Sequence, residues 1–345
     1  MSGGIDSSVA AALLKEAGDF EVVGVFMRLW SGGRSRGNIK KHFRRAAEKR
    51  ARKIAQFLEI PFYAFNFEKE FKKKVVDCFL DRFREGVTPN PCIVCNKEIK
   101  FGLLFKKGLR FGADFMATGH YARIKEKKEG ITLLRGKDRH KDQSYFLWNL
   151  SPAQLRNVMF PIGGYTKQEV KKLAKSFKLS VAEFPQSQEI CFVPQKITNF
   201  LEKHLKIKRG KIVDYQTKKT IGEHKGLWFY TIGQRKGIRL AGGPFYVVGK
   251  DLKKNNLIVS RDEKDLYKKE IMLKSVNWLL GTKPRLPLKM KAKIRYRHKM
   301  ALGVISQISD RKYKLKFNKA QRAVTPGQSA VFYRRDQLLG GGIIR

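Results

Sequence analysis

The chain has 345 residues, enough for two or three domains of ordinary size, and 42% of them are hydrophobic. Its 74 Lys and Arg residues outnumber its 30 Asp and Glu residues, and the formal net charge of +44 favours a polyanionic partner such as nucleic acid. The sequence lacks an apolar run of about 18 residues and a secretory signal pattern, and its four cysteines are too few for a disulfide scaffold, so we expect no membrane association and a reducing, cytoplasmic location.

The first residues form a glycine-rich stretch that leads directly into a helical pattern. Residues 2–8 read SGGIDSS, and the apolar spacing of residues 7–18 predicts a helix. Adjacent glycines allow a close approach to an anion, and the amides of a helix N-terminus donate to it; Asp6 suits a phosphate site if Mg²⁺ lies between the two. A plain N-cap is the alternative, but the SGGxDS string resembles the signature of the PP-loop ATP pyrophosphatases, which split ATP into AMP and pyrophosphate.

The first 200 residues alternate short apolar segments with helical patterns. Strands are predicted at 21–28, 61–67 and 114–124, and helices at 7–18, 46–60, 68–86, 96–112 and 166–177, the last opening with a capping box. This alternation predicts a parallel sheet with helices on both faces. In PP-loop enzymes a central strand precedes the phosphate loop, whereas this sequence begins with the loop. We therefore expect either a sheet without its central strand or, as the favoured interpretation, a start assigned one strand too late.

From about residue 206 the sequence becomes rich in short β patterns separated by Gly, Asn and Lys turns. KKNN at 253–256 predicts a hairpin, and a proline-containing link at 282–288 precedes further β segments. The predicted fold is α/β: a parallel-sheet nucleotide-binding domain at 1–204, a small central β domain at 205–270 and a β-barrel-like domain at 271–345. The strongly basic segment 31–45 is predicted to be a flexible loop.

Two cysteines stand three apart in TPNPCIVCNKEIKF, residues 88–101. Zinc sites usually have four ligands, and here one CxxC pair stands alone, so zinc is disfavoured. A thioredoxin-like redox pair is disfavoured because the surrounding pattern is not that of the thioredoxin fold. Cys78 lies on an apolar helical stripe and is predicted to be a core thiol, and Cys191 follows a hundred residues after the pair.

Seven motifs in one order give the chain a family resemblance: PNPCIVCNKEIKF, ATGHYARI, KDQSYFL, SQEICFV, FYTIGQRKG, FYVVGKDL and TPGQSAVFY. In this order they closely resemble the tRNA-specific 2-thiouridylases of the MnmA type, over nearly the whole chain. The resemblance implies a cytoplasmic enzyme that uses ATP and Mg²⁺ to replace the C2 oxygen of the wobble uridine with sulfur in the tRNAs for Lys, Glu and Gln. It also implies a sulfur-donor protein as partner.

The resemblance assigns the reactive thiols. Cys95 matches the nucleophile and Cys191 the cysteine that carries the persulfide, and a transient Cys95–Cys191 disulfide follows from their roles. We expect Cys95 near a helix N-terminus, where the dipole lowers the pKa of a thiol, with help from Lys97 and Lys100.

The remaining predicted site residues also come from the resemblance. Those for ATP are Met1, Ser2, Gly3, Gly4, Ile5, Asp6, Ser7, Ser8, Met27 and Gly119. Those for the target base are Asn90, Pro91 and Cys92, where many members of the family have Asp in place of Cys92. Those for tRNA are His120, Lys141, Asp142, Gln143, Arg295, Tyr296 and Gln328. The basic strand pattern around Arg295 and Tyr296 suits RNA on physical grounds, although a solvated basic face would look the same.

Two other functions remain open from the sequence alone. One is a different PP-loop enzyme, such as an amide-forming ATP pyrophosphatase or another tRNA sulfurtransferase, which would not need Cys95 and Cys191 together. The other is an RNA-binding protein without catalytic activity, which keeps a degenerate ATP site.

Overall fold

A computed structural model of the chain describes residues 1–32, 39–127, 130–180, 190–193 and 196–345. The helices are Ile5–Ala17, Ile39–Phe57, two composite helices at 68–84 and 91–110, Pro152–Arg156, Lys167–Ser176 and Ile197–His204, with 3₁₀ turns at Ser144–Phe146, Leu227–Phe229 and Glu263–Leu266. Within these ranges, every helix is too short or too polar to cross a bilayer.

The N-terminal part contains parallel strands with helices packed around them, as predicted. Strand β1 (Gly24–Arg28) pairs with β2 (Phe62–Asn66), and β3 (Met116–Ala117) pairs with β6 (Val158–Met159), both in parallel. Across the described ranges no strand joins β1 to β3, so the sheet consists of two separate pieces.

The single strand predicted at 114–124 is wrong in its extent. The chain leaves the sheet after β3 and forms a separate hairpin of β4 (Ala122–Lys127) and β5 (Gly130–Arg135). The break falls at Gly119, where a Cβ atom would lie 2.7 Å from the backbone of Asp6 and Ser7. Close contact with the N-terminal loop therefore bends the chain at the place where a longer strand was expected.

The helix predictions are confirmed in position but not at every boundary. Thr166 accepts a hydrogen bond from the Glu169 amide and Glu169 completes the predicted capping box. The helix Ile39–Phe57 begins earlier than predicted, so residues 39–45 of the expected basic loop are helical, while residues 33–38 lie outside the described ranges. The composite helices contain π-helical segments, Lys72–Asp77 and Cys95–Leu104.

The central part is a four-stranded sheet. Its strands are β7 (Gly210–Asp214), β8 (Thr220–His224), β9 (Tyr246–Asp251) and β10 (Asn256–Ser260), in the order β8-β7-β10-β9. The antiparallel pairing of β9 with β10 confirms the hairpin that KKNN predicts, with Asn255 in the left-handed region at φ 53°.

The C-terminal part is a closed antiparallel barrel. Its strands are β11 (Tyr267–Trp278), β12 (Leu288–Lys293), β13 (Ala301–Ser309), β14 (Lys312–Arg322), β15 (Ser329–Arg334) and β16 (Gln337–Ile344). Pairing of β11 with both β14 and β16 closes the six strands, which confirms the predicted β-barrel-like domain. The β4–β5 hairpin of the first domain extends this sheet, with Leu134 opposite Gln337. The domain limits at 204 and 270 stay predictions.

One hydrophobic core is shared between the first domain and the barrel. Trp148 is 1% exposed and packs in a cluster with Leu133 of the hairpin and with Val331, Tyr333 and Leu338 of the barrel. A Cβ atom on Gly341 would lie 2.7 Å from the indole of Trp148, so the strand and the ring are in close contact. The barrel is therefore built onto the first domain and not merely tethered to it.

We expect Trp148→Ala to destabilise the chain by about 3–5 kcal/mol, because a large cavity opens in a core that both domains share. Urea unfolding followed by circular dichroism should show the first domain and the barrel losing stability together. Phe111→Ala is the control, since Phe111 is 73% exposed and should cost less than about 1 kcal/mol. Separate transitions, with only one of them shifted, would contradict the shared core.

Candidate active site

The loop before the first helix is shaped by glycine and closed by serine hydroxyls. Gly3 has φ +73°, and a Cβ atom there would overlap the backbone carbonyl of Ala47. The Ser2 amide donates to Ser7 Oγ at 3.0 Å, and Ser8 Oγ donates to the Gly4 carbonyl at 2.9 Å. No described side chain caps the helix N-terminus, so its first amides remain for an anion. The loop therefore fits the phosphate groups of ATP.

Asp6 of this loop has two partners that the sequence motif did not indicate. Its Oδ1 accepts a hydrogen bond from Tyr121 Oη at 2.7 Å and forms an ion pair with Lys167 Nζ at 2.5 Å. Lys167 is the first residue of the helix that the Thr166 capping box opens, and it is 8% exposed. Lys167 thus neutralises the charge of Asp6 beside the phosphate loop.

Two further residues predicted for ATP lie close to this loop or to the cysteines. Gly119 contacts the backbone of Asp6 and Ser7, which explains why this position holds glycine. Met27, in β1, is half-buried and packs against the hydrophobic cluster that includes Cys95. The structure therefore brings Gly119 and Met27 to the region of the loop and the thiols, and their contact with ATP stays a prediction.

Three of the four cysteines form one group, which we call the thiol cluster: Cys92, Cys95 and Cys191. Cys95 is 7% exposed, whereas Cys92 and Cys191 have contact with solvent. Cys92 lies one turn before Cys95 on the same helix, and Cys95 packs in one hydrophobic cluster with Phe192 and Val193, the residues that follow Cys191. Cys78 is half-buried on the neighbouring composite helix, where Arg82, Asp81 and Glu85 are the charges that act on it.

The predicted low pKa of Cys95 is wrong. Burial raises the pKa of Cys95 to about 12, and Lys100 opposes that shift without overcoming it. Desolvation by neighbouring protein atoms likewise raises the pKa of Cys92 to about 11. The Cys92 side chain nevertheless has part of its surface in contact with solvent. The helix starts at Pro91 and not near Cys95, so Cys95 lies one turn inside it and gains less from the dipole.

The predicted target-base residues lie where the site loop, residues 86–90, enters this helix. Asn90 is the N-cap, and its Oδ1 accepts a hydrogen bond from the Cys92 amide at 3.2 Å. Pro91 occupies the first helical position, where its missing N–H costs nothing. Asn90 and Pro91 thus fix the orientation of Cys92 at the edge of the thiol cluster.

Both β domains hold the site loop by its backbone. The Thr88 amide donates to the Pro326 carbonyl at 2.9 Å, and Gln328 Nε2 donates to the Thr88 carbonyl at 2.8 Å. From the central domain, Lys250 Nζ donates to the Gly86 carbonyl at 3.0 Å, and burial lowers the pKa of Lys250 to about 8. No sequence motif indicated Lys250, which is one of many lysines in a basic chain.

The predicted tRNA residues at 141–143 form a turn that packs inward. Asp142 is 1% exposed and accepts a hydrogen bond from Arg135 Nε at 2.9 Å. Gln143 Oε1 accepts from the Tyr121 amide at 3.0 Å, which supports the residue that holds Asp6. Lys141 is half-buried, with its amide bonded within the turn. Contact of these residues with tRNA stays a prediction, and their observed role is to hold this turn against the phosphate loop.

His120 lies beneath the site and not on an outer surface. Its ring packs between Phe101 and Phe160, with centroid distances of 6.0 and 5.9 Å, and Nδ1 lies 2.8 Å from Thr118 Oγ1. Burial, together with the nearby charge of Lys100, lowers the pKa of His120 well below its usual value. The imidazole is therefore neutral at pH 7.

The predicted tRNA residues of the barrel lie at the junction of the domains. The Arg295 guanidinium donates to the carbonyls of Ala323 and Ile232, and therefore links the barrel to the central domain. Tyr296 packs against Phe146 of the first domain, with ring centroids 4.5 Å apart. Both side chains are engaged within the protein, and their contact with tRNA stays a prediction.

Comparison with known proteins covers the chain from end to end. Three family models match in succession: the tRNA methyl transferase HUP domain over residues 1–195, the tRNA methyl transferase PRC-barrel domain over 198–261 and the aminomethyltransferase beta-barrel domain over 268–344.

Curated relatives are similar over the same length. The chain is 42% identical to tRNA-specific 2-thiouridylase MnmA 2 of Clostridium botulinum strain Hall and 45% identical to tRNA-specific 2-thiouridylase MnmA of Clostridioides difficile strain 630; each alignment covers 100% of this chain and 96% of the relative. It is 41% identical to tRNA-specific 2-thiouridylase MnmA of Chlamydia abortus, over 100% of this chain and 95% of the relative.

Two adjacent glycines of the loop should respond differently to alanine. Gly3→Ala should destabilise the chain by about 1–3 kcal/mol, because it combines a left-handed backbone with overlap of the Ala47 carbonyl. Gly4→Ala is the matched control, since its φ is −106° and the nearest atom, Ser2 Oγ, would lie 3.5 Å away. Urea unfolding without nucleotide measures both, and equal effects of the two variants would refute the proposed loop geometry.

Stability should fall as the pH drops below about 6.5, in part because of His120. The unfolded histidine binds a proton there and the folded one does not, so the unfolded state gains protons first. His120→Gln should reduce the loss of stability between pH 6.5 and pH 5.5 by up to about 1.4 kcal/mol per pH unit. Urea unfolding across this range measures the slope, and an unchanged slope would show that His120 titrates equally in both states.

Proposed function

The chain belongs to the tRNA-specific 2-thiouridylase family, and from this premise we propose that it replaces the C2 oxygen of the wobble uridine with sulfur in the tRNAs for Lys, Glu and Gln. The observation that carries the proposal is the thiol cluster, which lies beside the phosphate loop. Gly119 contacts the backbone of Asp6 and Ser7 in the loop, and the next residue, His120, packs on Phe101 of the helix that carries Cys95, so one small region holds both kinds of group.

ATP is the proposed activating substrate. A uridine C2 oxygen is a poor leaving group, and transfer of AMP to that oxygen makes it a good one, with pyrophosphate as the other product. The glycines and serines of residues 2–8 and the free helix N-terminus would hold the phosphate groups. The ion pair with Lys167 neutralises Asp6, so that this carboxylate repels the phosphate groups less, and Mg²⁺ would accompany ATP as part of the substrate.

Sulfur transfer is assigned to Cys191 and Cys95. The terminal sulfur of a Cys191 persulfide attacks C2, and AMP leaves with the original oxygen. The Cys95 thiolate then attacks the Cys191 sulfur, which releases the thiolated base and leaves a Cys95–Cys191 disulfide for an external reductant. The exposure of Cys191 suits loading by a sulfur-donor protein, and the packing of Cys95 with Phe192 and Val193, the residues that follow Cys191, supports direct reaction of the two thiols.

The raised pKa of Cys92 limits what this residue can do. With a pKa of about 11, its thiol is protonated at neutral pH and is a poor general base. We therefore assign Cys92, with Asn90 and Pro91, to contact with the target base and not to proton transfer.

The charge of the chain supports tRNA as the substrate that carries the uridine. A net charge of +44 favours binding to phosphates, and the proposed site of action is the cytoplasm. An amide-forming PP-loop enzyme would need neither cysteine of the proposed pair, and an RNA-binding protein without activity would need no intact phosphate loop. The family relation and the thiol cluster favour the thiouridylase over both.

We expect the purified chain, given ATP, tRNA and a persulfide donor, to produce tRNA that is retarded on a mercury-containing gel. Cys95→Ser and Cys191→Ser should each remove the product, because each breaks one step of the transfer. Cys78→Ser is the matched control and should keep wild-type activity, since Cys78 lies outside the thiol cluster. Full activity of Cys95→Ser with the persulfide donor would exclude the two-thiol mechanism.

A further inference from the structure

The helix that carries Cys95 is wider than an α-helix where it passes the thiol cluster. Residues Cys95–Leu104 are π-helical, and at the end of this segment the Phe105 amide bonds to the Lys100 carbonyl, five residues before it. Residues five apart therefore lie on the same face, whereas in an α-helix they would lie about 140° apart. The π-helix thus brings Lys100 to the face of Cys95 and leaves Lys97 on another side.

The surroundings of Lys100 agree with this placement. The next residue, Phe101, packs on His120 with ring centroids 6.0 Å apart, which places this stretch of the helix beside the turn that contacts the phosphate loop. The lowering effect of the Lys100 charge on the pKa of Cys92 and Cys95 agrees with this placement. In the described part of the chain, the Lys100 side chain makes no hydrogen bond or ion pair, and Glu98 of the same helix pairs with Lys74 instead. Lys97 is exposed, and its charge is not among those that shift the pKa of Cys92, Cys95 or His120.

The Lys100 side chain is half-buried, and no carboxylate among the described residues pairs with it. The anion that the proposed reaction creates there is the Cys95 thiolate. We propose that Lys100 is the positioning residue that stabilises this thiolate when it attacks the Cys191 sulfur, an inference that rests on the proposed role of Cys95.

Gly102 maintains the wide turn that this arrangement needs. A Cβ atom on Gly102 would lie 2.7 Å from the carbonyl of Lys97, five residues earlier. Because that carbonyl is backbone, the helix would have to change its winding to accommodate alanine. Gly102→Ala should therefore move Lys100 away from Cys95 without removing its charge.

Alkylation of Cys95 by iodoacetamide tests the inference without tRNA or ATP. Besides Lys100, the ionisable groups whose charges shift the pKa of Cys95 are Cys92 and Cys191. All variants therefore carry Cys92→Ser and Cys191→Ser, so that only the effect of Lys100 is measured. Mass spectrometry of the Cys95 peptide gives the rate constant at several pH values. In this background Lys100→Met should lower the rate constant at pH 8 by about tenfold, corresponding to one unit in the pKa of the thiol.

Matched variants separate charge from structure. Lys97→Met, on the same helix, should react within about twofold of its parent, and Lys100→Arg should restore most of the rate. Lys100→Gln and Gly102→Ala should both react slowly, and unfolding midpoints would identify any variant that fails to fold. Equal rates for Lys100→Met, Lys100→Gln and the parent would overturn the inference.

The two hypotheses can fail separately. Slow alkylation in Lys100→Met together with no thiolation by the wild-type chain would retain the electrostatic role and reject the proposed function. Wild-type thiolation together with unchanged alkylation would retain the function and reject the role of Lys100.

Discussion

The hydrogen bonds between Thr88 and the turn at Pro326 and Gln328 are the contacts on which the candidate active site depends. They hold the site loop by its backbone, and that loop leads directly into the helix of Cys92 and Cys95. Pro326 and Gln328 lie in the connection between β14 and β15 of the barrel. The barrel therefore supplies contacts that the candidate site in the first domain needs. The shared core around Trp148 fixes the position of the barrel relative to the first domain. Hydrophobic packing therefore determines where the barrel residues meet the site loop.

Burial and the charge of Lys100 have opposite effects on the pKa of Cys95. Burial keeps Cys95 a neutral thiol in the resting protein, which protects it from oxidation, because the thiolate is the reactive form. The proposed reaction requires the thiolate, and the proposed role of Lys100 is to favour it. The burial that disfavours ionisation of Cys95 therefore also limits its side reactions.

Local patterns in the sequence predicted those features that depend on neighbouring residues. The capping box at Thr166 and the hairpin turn at Asn255 involve contacts within a few positions, and both are present. The register of Lys100 against Cys95 could not be predicted in this way, because helical patterns assume α-helical spacing and a π-helix changes it. The sequence suggested Lys97 and Lys100 equally, and only the winding of the helix distinguishes them.

Long-range pairings were the other features that the sequence could not reveal. Lys167 lies 161 residues from Asp6, and nothing in either motif indicates the other. The same holds for Arg295, whose basic surroundings suggested a phosphate contact, whereas its guanidinium donates to backbone carbonyls of two domains. In a chain of net charge +44, composition shows that cations are abundant but not which of them face outward.

Gln328 is also engaged within the protein, because its side-chain amide donates a hydrogen bond to the Thr88 carbonyl. A tRNA that bound this amide directly would have to compete with the contact that holds the site loop. A ligand that took the Gln328 amide would therefore loosen the site loop, whereas the Arg295 contacts hold the barrel to the central domain and do not reach that loop.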